Sequence, residues 1–295
     1  MKQLNRQPRT AAAIAGLLGL LSASAVSART LEIPLPASGD FNTTIEANLY
    51  WPLPMGASFA YRAETEDGCE YNKVTVTMDT KIVTIGANAY TTRIVRDQEW
   101  EDEDCDFVDV VLVEDTHDFH AEDLDANVWY FGEATYSVPD PDECDAPPCA
   151  CDDGGSWEAG LPVGDPEVPP AEAGIIMLGS PRSGDRYRQE LLVDEAEDWG
   201  AVLRLNAKVS IDAGEYEDCA MTREWTPLEP GHIEHKFYCP LAGNPGPAGL
   251  MFIEELKGRN VYVEYIGSDF GAHSPLPGED IAFPALDDLG LCTIP

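Results

Sequence analysis

Between Ala201 and Ile211 the chain alternates apolar and polar residues. Ala201, Leu203, Leu205, Ala207, Val209 and Ile211 fall on one side; Arg204, Asn206, Lys208 and Ser210 fall on the other. That period of two belongs to a strand whose sheet has one wet face, which antiparallel sheets allow. Asp212-Ala213-Gly214 then turns the chain into a strand over Glu215–Trp225, and Pro227 to Gly231 turns it into His232–Tyr238. A last strand is expected over Asn260–Ile266.

The N-terminal half reads the same way. Ser58–Glu66, Tyr71–Met78, Lys81–Ile85, Ala89–Arg96 and Phe107–Val113 are short β-branched segments separated by Gly, Asn and Asp turns. Helical periodicity is scarce; Ala171–Leu178 and Leu191–Gly200 accommodate short helices at most. Residues 138–170 crowd Pro, Asp, Gly and three cysteines into a long loop. No fixed period recurs, which excludes solenoids and propellers. The expected fold is mainly β: a curved antiparallel sheet or open barrel with a disulfide-stapled, Pro/Gly/Asp-rich loop region.

Residues 1–28 have the three parts of a secretory leader: Lys2, Arg6 and Arg9, then the apolar stretch Ala11 to Leu21, then small residues at Val26-Ser27-Ala28. The apolar stretch is short of the ~20 residues that span a bilayer core, and no later segment resembles a membrane helix. The expected organisation is leader 1–28, N-terminal extension 29–57, one β-rich domain 58–267 and a C-terminal tail 268–295. The destination is periplasmic or extracellular.

Eight cysteines, an even count in an exported chain, read as disulfides. Cys219 and Cys239 fall opposite one another about a turn centred near Glu229. Cys69 and Cys105 fall at the same end of the first strand group. These two pairs are expected. Cys144, Cys149, Cys151 and Cys292 can pair in three ways that stay open. A thiolate metal site at Cys144, Cys149 and Cys151 lacks the Cys-x2-Cys knuckle and a second pair.

The charge is extreme: 18 Lys plus Arg against 54 Asp plus Glu, a net −36. Loss of the leader's three basic residues takes this to −39. Such a surface disfavours nucleic acid and anionic membranes as partners, and suits salty surroundings or the collection of cations.

Several segments could carry chemistry. Asp123-Leu124-Asp125-Ala126-Asn127 matches the opening of a calcium loop, but Val128 stands where an EF-hand needs Gly, and Ala134 replaces the closing Glu. A different calcium geometry could draw on Asp118, Asp123, Asp125 and Glu133. The pairs His117/His120 and His232/His235 are spaced i, i+3, which on a strand points the two rings apart. Glu158 and Glu190 sit beside aromatic or cationic neighbours, as a carboxylate pair in a hydrolase would. Trp129, Tyr130, Phe131, Trp157, Tyr187 and Trp225 could line a ligand cavity, or simply pack a core.

NVWYFGE (127–133), GSWEAG (155–160), GDRYRQE (184–190), AED (196–198) and TREWTPLEPGHIEHKFY (222–238) together resemble an uncharacterised family of exported bacterial proteins over residues 58 to 240. The resemblance implies export and brings no activity or ligand with it. THDFHAED departs from the family's pattern, with His120 and Glu122 where an aromatic and an amide are expected. VSIDAGEYEDC (209–219) is similar to segments of lipoprotein-carrier-like half-barrels, which implies a curved sheet around an acyl-binding groove.

The function expected is an exported, acidic, non-catalytic binding protein. Its ligand is apolar or lipid-like, held by Trp129, Phe131, Trp157, Glu158, Tyr187 and Glu190, or a divalent cation such as calcium; no other cofactor is implied. The alternatives are an extracellular hydrolase with paired carboxylates and a structural or adhesive surface protein.

Overall fold

The computed structural model describes residues 28–138, 155–162, 168–256 and 261–279. The segment expected to be a leader, most of the expected central loop and Cys144, Cys149, Cys151 and Cys292 lie outside the described residues.

The fold is mainly β, and one large open sheet holds it together. The first half contributes β1 (Arg29–Thr30), β2 (Phe41–Asn42), β3 (Ser58–Glu64), β4 (Cys69–Ile85), β5 (Asn88–Asp102), β6 (Val111–Asp123) and β7 (Val128–Ser137). The middle contributes four short strands: β8 (Trp157–Glu158), β9 (Glu172–Met177), β10 (Asp185–Arg188) and β11 (Glu190–Leu191). The last five are β12 (Trp199–Ile211), β13 (Gly214–Trp225), β14 (Glu234–Cys239), β15 (Gly249–Glu255) and β16 (Val261–Gly267).

Two antiparallel meanders, β3 to β7 and β12 to β16, join edge to edge where β16 pairs with β3. The strand path starts at β1 and β10 and ends at β9 and β11. β10 and β11 are consecutive in the chain, separated by Gln189 alone. The sheet therefore curls until its two ends meet in one segment. Gly174 of β9 permits that approach, because a Cβ there would collide with the Gln189 carbonyl oxygen.

Register shifts supply the curl. β4 carries one between Val76 and Thr80, which is why the sequence reads as two strands where the structure has one. Shifts in β12 between Val202 and Arg204, and again before Ala207, break the alternation the sequence suggests. Leu203 is 40% exposed and Val202 only 1%, the reverse of the expected sides, while Ala207 and Val209 point inward as expected.

Two further expectations need correction. The segment read as a short helix at 171–178 is strand β9, and no α-helix occurs among the described residues. The strand placed at Phe107–Val113 begins at Val111 and runs on to Asp123. β7 and β15 carry no alternation that would announce them; β7 is almost wholly buried on both faces.

The two expected disulfides are present. Cys69–Cys105 has Cα atoms 5.2 Å apart, and Cys219–Cys239 has them 4.1 Å apart. They fit the oxidising, extracytoplasmic location read from the leader. No helix of the described residues is long and apolar enough to cross a membrane.

The segment just before β3 packs on the concave side, whereas the segment after β16 covers the outer face. Ile45 and Leu53, before β3, are fully buried in the main core. After β16, the tail lies along β5: Trp100 Nε1, Gln98 Nε2 and Arg96 Nη1 donate to the carbonyls of Pro277, Gly278 and Glu279 at 2.8, 3.4 and 3.1 Å. Phe270 and Leu276 bury against Tyr71 and Trp100.

Candidate functional site

Alternation on β5 fixes the site. With Ile94, Gln98 and Trp100 turned outward, Val95, Asp97 and Glu99 face the concave side. Asp118 and His120 of β6 and Tyr130 of β7 join them. Opposite stand Glu224 of β13, Lys236 of β14 and Ile253 and Glu255 of β15. Together they enclose a cavity of about 400 Å³, which Trp51 and Leu53 approach from the N-terminal segment. That volume suits a small organic ligand.

The lining is strongly acidic. Glu70, Asp97, Glu99, Asp118, Glu190, Glu224 and Glu255 face a single lysine and no arginine. The lysine is already engaged: Lys236 Nζ lies 3.1 Å from both Glu224 and Glu234. His120 adds no charge, because burial pushes its imidazole down to about 3. Burial first, with repulsion from neighbouring acids, raises the proton affinity of several of these carboxyls. Asp97 and Glu99 rise to about 7, and Asp118 and Glu190 rise well above their ordinary range. Glu133, beside Asp118 across the β6–β7 ladder, also rises to about 7, chiefly through burial.

Hydrogen bonding within this wall is incomplete. Tyr130 Oη contacts Asp118 at 2.7 Å and Glu133 at 2.5 Å, and its ring stacks on His120 at 4.8 Å. Asp97 Oδ1 and His120 Nδ1 are buried without a hydrogen-bond partner among the described residues. Polar atoms in that state mark places where a ligand or water can bond.

The residues expected to hold a ligand are distributed over more than one place. Trp129 and Phe131 point away from the cavity and pack edge-on against Phe41, at 6.1 and 5.5 Å. Trp157 meets the Tyr130 ring edge-on at 5.3 Å. It lines a separate cavity of about 140 Å³ with Glu158, whose carboxylate pairs with Lys81 at 3.1 Å. Tyr187 is buried in the second core and, with Trp129, borders a third cavity of about 570 Å³. Glu190 alone of the six lines the acidic cavity, so Glu158 and Glu190 do not share a cleft.

The four acids considered for calcium separate in the same way. Asp118 and Glu133 meet at Tyr130. Asp123 instead closes the β6–β7 turn, accepting from the backbone N–H of Asp125 and Asn127, from Asn127 Nδ2 and from Trp129 Nε1, all at 2.8–2.9 Å. No group of three or more His, Cys, Asp or Glu side chains among the described residues is placed to hold a metal ion. Of the histidines, His120 lines the cavity and His117 does not, while His232 and His235 lie against Glu229 and Glu254.

Sequence reasoning did not single out Asp97, Glu99, Trp51 or Tyr238. The signal for the first two was the alternation Val95, Asp97, Glu99 against Ile94, Gln98, Trp100, which places acids on one face of a strand.

No protein-family model and no curated protein matches this chain. Two solved structures align with it. One is a protein from Bacteroides fragilis, described as exported and as having a YmcC-like fold. It is 12% identical, with a TM-score of 0.33, over 74% of this chain and 97% of that one. The other is described as a lipoprotein, from Parabacteroides distasonis, 9% identical with a TM-score of 0.33 over the same shares.

Proposed function

We propose that this is a non-catalytic, extracytoplasmic binding protein whose interior holds a small amphiphilic cation, an organic ammonium with an apolar part. The observation that carries the reading is the imbalance of the cavity wall: seven carboxyls against one lysine that is already paired. A bound ammonium would supply the missing counter-charge and let the carboxyls ionise. Trp51, Tyr61, Tyr130 and Tyr238 bring aromatic rings to the lining, which favour a cation, and Leu53, Ile253 and Val263 offer apolar surface to its tail.

The reading chooses between the ligand classes that the sequence left open. A fatty carboxylate would add a negative charge to an acidic wall. A divalent ion needs six to eight oxygens converging at 2.3–2.6 Å for calcium, whereas these carboxyls are spread around the cavity. The hydrolase alternative drew on Glu158 and Glu190, which occupy different cavities.

Native mass spectrometry of protein purified from its own compartment tests the proposal. A retained organic amine is the expected result. A retained fatty acid or a stoichiometric metal ion would overturn it.

A further inference from the structure

We propose a second site, on the sheet's outer face, for a soluble polyanion carrying two or more phosphate or sulfate groups. Arg188, Trp199 and Trp225 are register partners across β10, β12 and β13, and in the neighbouring row Arg186, Ala201 and Arg223 are partners. The two indoles stack with centroids 6.5 Å apart and planes 12° apart. Arg186 reaches both rings, its Cζ 4.4 Å from Trp199 and 4.7 Å from Trp225. Arg188 lies 4.4 Å over Trp199 and Arg223 lies 5.1 Å over Trp225. By contact, the order is Arg188, Trp199, Arg186, Trp225, Arg223.

The setting makes this ladder unusual. In a chain with 54 acidic residues, carboxylates are abundant, and Arg29, Arg62, Arg96, Lys73, Lys81, Lys208 and Lys236 each hold one. Arg186, Arg188 and Arg223 form no ion pair among the described residues, and Arg186 Nε is buried with no hydrogen-bond partner.

Stacking on indole satisfies the face of a guanidinium but leaves its in-plane N–H edge free. That edge bonds an oxyanion in two-point fashion, and a ring-held plane loses little freedom in doing so. Three such edges in line fit a ligand with several oxyanions. A single anion would meet the repulsion of a −36 chain with little to offset it. A long polymer with one charge every ~1.7 Å, such as duplex DNA, would run from the ladder onto acidic surface.

Titration of inorganic triphosphate into the full mature protein at low ionic strength tests the site, read by calorimetry and by the fluorescence of Trp199 and Trp225. Saturable binding is expected. Arg186→Gln and, separately, the more exposed Arg223→Gln should each weaken it tenfold or more, while Lys208→Gln leaves it unchanged. Arg186→Lys, which keeps the charge but not the planar fork, should fall between wild type and Arg186→Gln. Far-UV circular dichroism reports folding, and Arg223→Gln serves if Arg186→Gln does not fold. Absence of saturable binding would overturn the proposal, as would wild-type affinity in both glutamine variants. Binding of acidic phospholipid vesicles without binding of triphosphate would overturn it too.

Discussion

Asp118 and Glu133 face one another across β6 and β7, and the single hydroxyl of Tyr130 lies within hydrogen-bond distance of both. One phenolic proton cannot serve two ionised carboxylates. One of the acids must itself carry a proton and donate it to the tyrosine oxygen, as the raised proton affinities of both require. At Asp118 the cavity wall thus meets a shared proton.

Stability should fall as pH rises through neutrality. The unfolded chain loses its Asp and Glu protons near pH 4 to 4.5, whereas Asp97, Glu99 and Glu133 hold theirs to about 7. Between those values the folded state binds more protons, so this contribution is full at low pH and is lost as pH passes 7. His117 and His120, both pushed down to about 3 by burial, act oppositely: their contribution is full above about 6.5 and is lost toward 3. Above pH 6.5 the carboxyls alone act. Melting without ligand should give a midpoint several degrees lower at pH 8 than at pH 6.5, with roughly 2–4 °C for each kcal/mol in a chain of this size. Asp97→Asn combined with Glu133→Gln should shrink that difference, and an equal or higher midpoint at pH 8 would contradict the account.

Tyr130→Phe keeps the ring that stacks on His120 and meets Trp157, but removes the shared hydroxyl. Two buried carboxyls then lose a partner, at a cost of about 1–3 kcal/mol. The tyrosine proton favours the ionised form of the acid that accepts it. The titration of that acid should therefore move further up, which carboxyl-carbon NMR of the variant would register.

Asp123→Ala should destabilise by several kcal/mol, since four donors lose their acceptor at the β6–β7 turn. The loss should be the same in chelator and in millimolar calcium. A calcium-dependent difference in the wild-type midpoint would instead restore the ion to the account.

Each disulfide closes a long loop, with partners 36 and 20 residues apart. In the chain-entropy view each contributes ~3–4 kcal/mol. Cys219→Ser with Cys239→Ser should lower the unfolding free energy by about that amount in a urea titration, with ligand capacity retained at low temperature.

The sequence made the β class, the hairpin from β13 to β14 and both disulfide pairs legible, because turn residues and alternation act locally. Cys219 and Cys239 could be paired by counting outward from Glu229. The joining and curling of the sheet were not legible. They depend on β16 meeting β3 and on Gly174 approaching Gln189, contacts between segments far apart in the chain. β7 hid because both its faces are buried, and the bulges in β12 reversed the sides of Val202 and Leu203. The aromatic run at Trp129–Phe131 drew notice as a ligand wall, yet two of its rings pack a core and Tyr130 alone turns inward. The acids that line the cavity were inconspicuous among so many others; what distinguishes Asp97 or Glu190 is burial, which composition does not reveal.

The central claim, that the acidic interior selects an amphiphilic cation, is tested most directly by calorimetric titration of octylamine and octanoate, matched in chain length and opposite in charge, at pH 8. The account predicts saturable binding of octylammonium at least tenfold tighter than octanoate, weakened by Asp97→Asn or Glu99→Gln. Octanoate binding as tightly as octylammonium, or neither binding at millimolar concentration, would contradict it.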